Sequence, residues 1–108
     1  MSSAVQFVDD PEKGCYEALI GDHIVGVMVY KRLGRRVVVR HTVVEPEYRG
    51  QGLGAQLVRA FLDDVRDRDD TLTNYCSFVV DFIACHPEYQ GIVNIDRPGV
   101  TSPRGVAR

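Results

Sequence analysis

The stretch Arg49-Gly50-Gln51-Gly52-Leu53-Gly54-Ala55 holds the residue types and spacing from which chemistry can be read in this 108-residue chain. Three glycines at alternate positions leave successive backbone N–H groups free of side-chain cover. Where such a run opens a helix, the leading N–H groups also lack intrahelical acceptors. Convergent donors of this kind cradle anions, and the positive end of the helix dipole adds to the attraction. With Arg49 supplying a full charge beside them, the expected ligand is a pyrophosphate. The competing reading takes the glycines as turn punctuation alone.

The elements that must position this loop follow from the patterning around it. Ala4 to Asp9 alternates weakly and reads as an edge strand ending at Asp9-Asp10-Pro11. Cys15 to Ile20 reads as a strand, Gly21-Asp22 as a hairpin turn, and Ile24 to Tyr30 as a strand with Val25, Val27 and Val29 on one face. A second turn at Leu33-Gly34-Arg35 leads to the Val- and Thr-rich strand Val37 to Val44, completing an antiparallel meander. Leu53, Leu57, Phe61 and Val65, widened by Val58 and Leu62, then recur at helical spacing, which predicts an amphipathic helix from Gly50 to about Arg68. Leu72 to Cys76 reads as a short strand, and Ser77 as the cap of a second helix ending at His86 before Pro87.

This order predicts an α+β fold, a mixed and mostly antiparallel sheet of about five strands with two main helices in the order β-β-β-β-α-β-α. A helix joining two strands of one sheet makes them parallel neighbours, so the strands ending at Val44 and Cys76 should lie side by side with Cys76 near the glycine loop. Residues 1–96 form one expected domain. The Pro-, Gly- and Arg-rich residues from Arg97 to Arg108 are expected to be a disordered tail.

Bulk properties exclude several classes. Apolar content of 44% and charged content of 26% are those of an ordinary globule, and a formal net charge of −2 gives no footprint for nucleic acid. The apolar runs are too short for a transmembrane span and no signal peptide stands out, so a cytoplasmic protein with no membrane partner is expected. Cys15, Cys76 and Cys85 are odd in number and lack paired spacing, which argues against disulfides and against a metal site. No paired-carboxylate or Ser-His-Asp arrangement stands out.

Among phosphate loops, the absence of G-K-[ST] excludes the nucleoside-triphosphate type. Gly50, Gly52 and Ala55 satisfy G-x-G-x-x-G/A, but five residues separate the strand from Gly50 and the preceding strands form a meander, which disfavours a dinucleotide fold. The pattern R-x-x-G-x-G at Arg49, Gly52 and Gly54 instead resembles the coenzyme A pyrophosphate loop of the GCN5-related N-acetyltransferases. His41-Thr42, the loop, Cys76-Ser77-Phe78-Val79 and His86-Pro87-Glu88-Tyr89, in that order, narrow the resemblance to small single-domain members of that family. The resemblance covers roughly Cys15 to Val93 and implies acetyl-CoA as cofactor. It implies further that Val43 and Val44 offer backbone to pantetheine where the strand bulges from its neighbour, and that Arg49, Gly50, Gln51, Gly52, Leu53 and Gly54 wrap the pyrophosphate while Ala55 permits close approach.

The resemblance implies transfer of acetyl to an amine, small molecule or protein, which requires a neutral nucleophile, a polarised thioester and a proton for the leaving thiolate. Cys76, at a strand end just before a helix, is the candidate for this chemistry, as transient acetyl acceptor or as acid; its alternative is a buried structural thiol. His41 is a secondary candidate base, and Glu45 the nearest carboxylate, since small relatives often read H-T-E-V where this chain has Val43. Tyr48 and Tyr89 are read as packing residues. The short chain predicts an acceptor pocket that is shallow, borrowed from a second subunit or absent. The function readings are therefore an acetyltransferase or a non-catalytic acetyl-CoA-binding module, monomeric or homodimeric.

Overall fold

The computed structural model describes residues 4–100. Five strands, β1 (Val5–Asp10), β2 (Cys15–Ile20), β3 (His23–Leu33), β4 (Arg36–Val44) and β5 (Thr71–Asn74), form one sheet in the order β1-β2-β3-β4-β5. The first three pairings are antiparallel and β4 with β5 is parallel. The crossover between β4 and β5 is helix α1 (Leu53–Asp67), and helix α2 (Ser77–Cys85) follows β5. Short 3-10 turns occupy Pro46–Tyr48 and Pro87–Ile92. This is the mixed, mostly antiparallel α+β architecture that the patterning predicts.

Helix α1 lies on the sheet because its apolar stripe repeats at helical spacing. Leu53, Leu57, Val58, Phe61, Leu62 and Val65 are all buried, each such side chain contributing on the order of 1.5–3 kcal/mol. They meet Tyr16, Ala18, Met28, Tyr30, Val37, Val39 and Leu72 of the sheet, with Tyr16 edge-on to Phe61 at 5.3 Å between centroids. On β3 the helix-covered residues are Gly26, Met28 and Tyr30, while Val27 and Val29 are only half-buried. Val25 is fully buried with the core residues because the β2–β3 register shifts between Ala18 and Leu19, which moves it off the alternation read from sequence.

Several boundaries differ from the sequence reading, β3 running on to Leu33 past the expected Tyr30 among them, and three have a local reason. Helix α1 begins at Leu53 rather than Gly50, because Gly50 and Gly52 have φ of +79° and +81°, a left-handed conformation that cannot propagate a right-handed helix. Strand β5 stops at Asn74 rather than Cys76. The Asn74 side chain accepts a hydrogen bond from the Cys76 N–H at 3.1 Å and donates to the Cys76 carbonyl at 2.9 Å, turning the chain out of the sheet. Cys76, not Ser77, is therefore the residue at the head of α2.

The expected disorder from Arg97 does not describe residues 97–100. The Asn74 N–H donates to the Pro98 carbonyl at 3.0 Å and the Val100 N–H to the Asn74 carbonyl at 2.7 Å, so this segment runs along the outer edge of β5. The remainder of that tail lies outside the described residues.

Candidate functional site

The site begins with a divergence of two strands. β4 pairs with β5 only from Arg36 to Val39, opposite Thr71 to Asn74, and the Tyr75 N–H makes a last bond to the Val39 carbonyl at 2.9 Å. Beyond that point β4 runs on to Val44 while the segment after β5 turns into α2. A register shift opposite Val29–Tyr30 leaves Arg40 unmatched on β4, and such a bulge re-aims the strand at the place where the two part.

Strand alternation decides which backbone groups face the gap. Glu45 donates its N–H to the Val25 carbonyl at 2.9 Å, and Val27 pairs with Val43 two residues along. In an antiparallel ladder the alternate residues then direct their N–H and C=O groups away from β3. Thr42 and Val44 are those residues, and the Val44 carbonyl indeed accepts from Arg49 Nε on that side at 3.0 Å. Val44 is thus placed as expected for a pairing edge. Val43 turns its backbone to β3 instead and brings to the cleft a side chain that is 54% exposed.

A cleft of about 590 Å3 opens between this edge and α2, lined by Val43, Val44, Tyr48, Arg49, Gly54 and Phe78 among others. The left-handed glycines Gly50 and Gly52 form its floor at one end, where a Cβ on either would project into open space. The first intrahelical bond of α1 runs from the Gln56 N–H to the Gly52 carbonyl at 3.1 Å, leaving the N–H groups of Leu53, Gly54 and Ala55 without intrahelical acceptors. No side chain caps this end among the described residues. The Leu53 side chain itself is in the core. Gly54 is ordinary helix; a Cβ there would lie 3.0 Å from Phe78 Cζ. Gly50 and Gly52 are glycines for their backbone angles, and Gly54 for the aromatic ring against it. Gln51 is exposed and donates from Nε2 to the Glu47 carbonyl at 3.0 Å, bracing the loop. Tyr48 packs against the core as expected.

The cleft continues into a second cavity of about 320 Å3 lined by Arg40, His41, Thr42, Val43, Tyr75, Cys76, Ser77 and Phe78. Thr42, Val43 and Phe78 border both. Cys76 is buried here, its Sγ donating to Thr42 Oγ1 at 3.3 Å across the gap between β4 and α2. His41 shares the cavity. Glu45 does not: its carboxylate is 3.0 Å from His23 Nε2 at the β2–β3 hairpin and lines neither cavity. The residue that was to replace a missing carboxylate therefore holds a hairpin in place.

An anionic diphosphate with an apolar, amide-bearing arm fits what is present: N–H donors and Arg49 at one end, an open strand edge beside Val43 and Phe78, then the Cys76–Thr42 pair. Thr42, Phe78, Tyr75 and Arg40 were not identified as functional residues from the sequence. Thr42 was within reach of strand counting back from the Pro46 turn; the others depend on where β4 parts from β5.

His86-Pro87-Glu88-Tyr89 has a structural account. His86 stacks on Phe82 at 4.1 Å and its Nδ1 bonds the Phe82 carbonyl at 2.9 Å, so Nδ1 carries the proton. Pro87 opens the 3-10 turn that delivers Tyr89, 2% exposed, to α1. There its hydroxyl donates to Asp63 Oδ1 at 2.6 Å and accepts from Arg59 Nη1 at 3.2 Å. Burial first, then the bond to Asp63, raises the Tyr89 phenol above its ordinary pKa. The motif latches α2 onto α1 and stands apart from both cavities.

Comparison with known proteins bears on this arrangement. The family described as GCN5-related N-acetyl-transferase matches residues 15–92. Proteins named NATD1 are similar: that of Bos taurus is 34% identical over 70 residues, spanning 64% of this chain and 62% of its own length. That of Gallus gallus is 33% identical, spanning 64% of each chain. The matches thus cover less than two thirds of those relatives. Among solved structures, the ribosomal-protein-S18-alanine N-acetyltransferase from Escherichia coli superposes with a TM-score of 0.52 at 18% identity, covering 56% of this chain and 39% of that one. The IAA acetyltransferase from Bacillus cereus superposes with a TM-score of 0.51 at 15% identity, covering 68% and 65%. These structural likenesses concern the fold.

Proposed function

Because the chain belongs to the GCN5-related N-acetyltransferase family, we propose that it binds acetyl-CoA in the cleft between β4 and α2 and transfers the acetyl group to an amine. The observation that carries this reading is the succession along one cleft of a left-handed glycine loop, an unpaired strand edge and a thiol hydrogen-bonded to a hydroxyl.

The N–H groups from Leu53 to Ala55, with Gly50, Gln51, Gly52 and Arg49 shaping the loop, would hold the pyrophosphate. The backbone of Thr42 and Val44 would pair with the amides of the arm, and Val43 and Phe78 would cover its methylenes. Bound acetyl-CoA supplies an activated acyl thioester, from which the amine takes the acetyl group while its displaced proton ends on the departing sulfur. Cys76 holds a proton at Sγ, oriented by Thr42 Oγ1, and is positioned to give it up at that end of the cleft. His41 borders the same cavity and would receive the proton released by the acceptor.

The test is CoA release from acetyl-CoA with a panel of amines, combined with intact-mass measurement. Cys76→Ala should slow release roughly 100-fold or more, the usual contribution of a positioned acid, with acetyl-CoA affinity retained. An acetyl adduct abolished in Cys76→Ser would make Cys76 the nucleophile; no adduct with slowed release in Cys76→Ala makes it the proton donor, and no adduct with unslowed release makes it a structural thiol. Saturating amines that never raise release above the protein-free rate would sink the enzyme reading. A second reading, a binding module without turnover, is favoured by one observation: among the described residues no carboxylate lines either cavity.

A further inference from the structure

We infer, resting on the acetyltransferase reading, that the acceptor is an amine bearing its own carboxylate a few bonds away, with Arg40 as the residue that recognises that carboxylate. The second cavity contains Arg40 and His41 and, among the described residues, no acidic residue. Sites built for cationic acceptors place carboxylates around the amine; here such an amine would meet a guanidinium and nothing to offset it.

Arg40 is set apart from the other arginines of the sheet and of α1. Arg32 bonds Asp70 at 2.7 Å, Arg36 bonds Thr73 at 3.1 Å, Arg59 bonds Tyr89, Arg66 bonds Asp63 at 3.0 Å and Arg68 bonds Asp64 at 3.1 Å. Arg40 makes no hydrogen bond or ion pair among the described residues, and it is exposed. It is also the unmatched residue of the β4 bulge, the one position on this strand that leaves the ladder at the edge of the cavity. An unpaired guanidinium has five donors arranged for bidentate carboxylate binding.

Arg40 and Thr42 line the same cavity two residues apart on β4, and Thr42 Oγ1 accepts from Cys76 Sγ. An acceptor anchored at Arg40 with its nitrogen near Cys76 carries its amine and its carboxylate across that one cavity. The chemistry is met by a free amino acid or by the N-terminal residues of an acidic peptide.

The experiment compares glycine, β-alanine, γ-aminobutyrate and a peptide with an acidic N-terminal sequence against ethylamine and putrescine. Two readouts are taken: CoA release from acetyl-CoA, and calorimetric binding to CoA-saturated protein. Carboxylate-bearing amines should win in both by at least tenfold. Arg40→Glu should abolish that preference mainly through KM and turn it toward putrescine, while Arg40→Lys keeps part of it. The free amino acids exceeding the peptide would place the source among small molecules, and the reverse among acidic chains; both support the inference. Ethylamine or putrescine matching β-alanine, or an unchanged ranking in a folded Arg40→Glu variant, overturns it while leaving the acetyltransferase reading intact. Arg40-dependent binding of the carboxylate amines with no CoA release sustains the acceptor site and overturns turnover instead. Failure of every amine to bind overturns the inference.

Discussion

Replacing Gly54 by alanine tests the physical basis of the cleft mouth. The added methyl group would lie 3.0 Å from Phe78 Cζ and 3.3 Å from Cε2, inside the roughly 3.5–4.0 Å optimum for carbon pairs. Gly54 is in the first turn of α1, where alanine gains up to about 0.8–1.0 kcal/mol of helix propensity. Phe78 is 43% exposed and its ring can move, at a cost of about 0.5–1.5 kcal/mol if it is forced from its rotamer. The two effects nearly cancel, so Gly54→Ala alone should lie within about 0.5 kcal/mol of wild type. In a Phe78→Ala background the contact is gone and the helix gain is uncovered. Gly54→Ala should there stabilise by about 0.5–1 kcal/mol, giving a coupling of the same size, roughly 0.5–1 kcal/mol. Urea denaturation of the four proteins reads this directly. An equal effect of Gly54→Ala in both backgrounds, with coupling below about 0.3 kcal/mol, would refute the claim that Gly54 is a glycine because of Phe78.

Other outcomes follow from the same geometry. Tyr89→Phe removes the hydroxyl bonded to Asp63 at 2.6 Å and should cost about 1.5–3 kcal/mol by denaturant titration, as for a hydrogen bond to a charged group. A cost under about 0.5 kcal/mol would mean that the hydroxyl has no part in latching α2 to α1. The Tyr30 phenol is pushed up from 10.0 to about 12 by burial and by its hydrogen bond to Asp9. A group with a raised folded pKa contributes fully below its unfolded value, and the contribution is lost as pH rises from about 10 to about 12. Melting temperature followed from pH 8 to 11.5 should therefore fall less steeply in Tyr30→Phe than in wild type; parallel curves would contradict the assignment.

Much of this was legible in the sequence because it rests on periodicity. The apolar stripe from Leu53 to Val65 gave α1, and the β-branched run before it gave β4. A single helix between two strands gave their parallel pairing. The glycine loop was legible as a distinct segment before α1, although not the division of labour among its glycines. What lay beyond reach depended on partners distant in sequence. Glu45 sits 22 residues from His23, and no local pattern pairs them. The bulge that frees Arg40 is a property of the β3–β4 register, and the ordered path of residues 97–100 depends on an open edge of β5. Cys76 was identified for its place at a strand end, but its contact with Thr42 exists only because Asn74 turns the chain early.

The central claim is that the loop before α1 holds the pyrophosphate of coenzyme A. Calorimetric titration with acetyl-CoA and with pantetheine, on wild type and on the Gly50→Val/Gly52→Val variant, tests it most directly. Branched side chains at these two positions would stand in the open space of the cradle and resist its left-handed backbone. The account predicts that wild type binds acetyl-CoA and that the folded variant binds at least about tenfold more weakly, a loss of about 1.4 kcal/mol or more. Pantetheine, which has no pyrophosphate, should bind both proteins alike. No heat of binding from wild type, or equal acetyl-CoA affinity in both proteins, would contradict it.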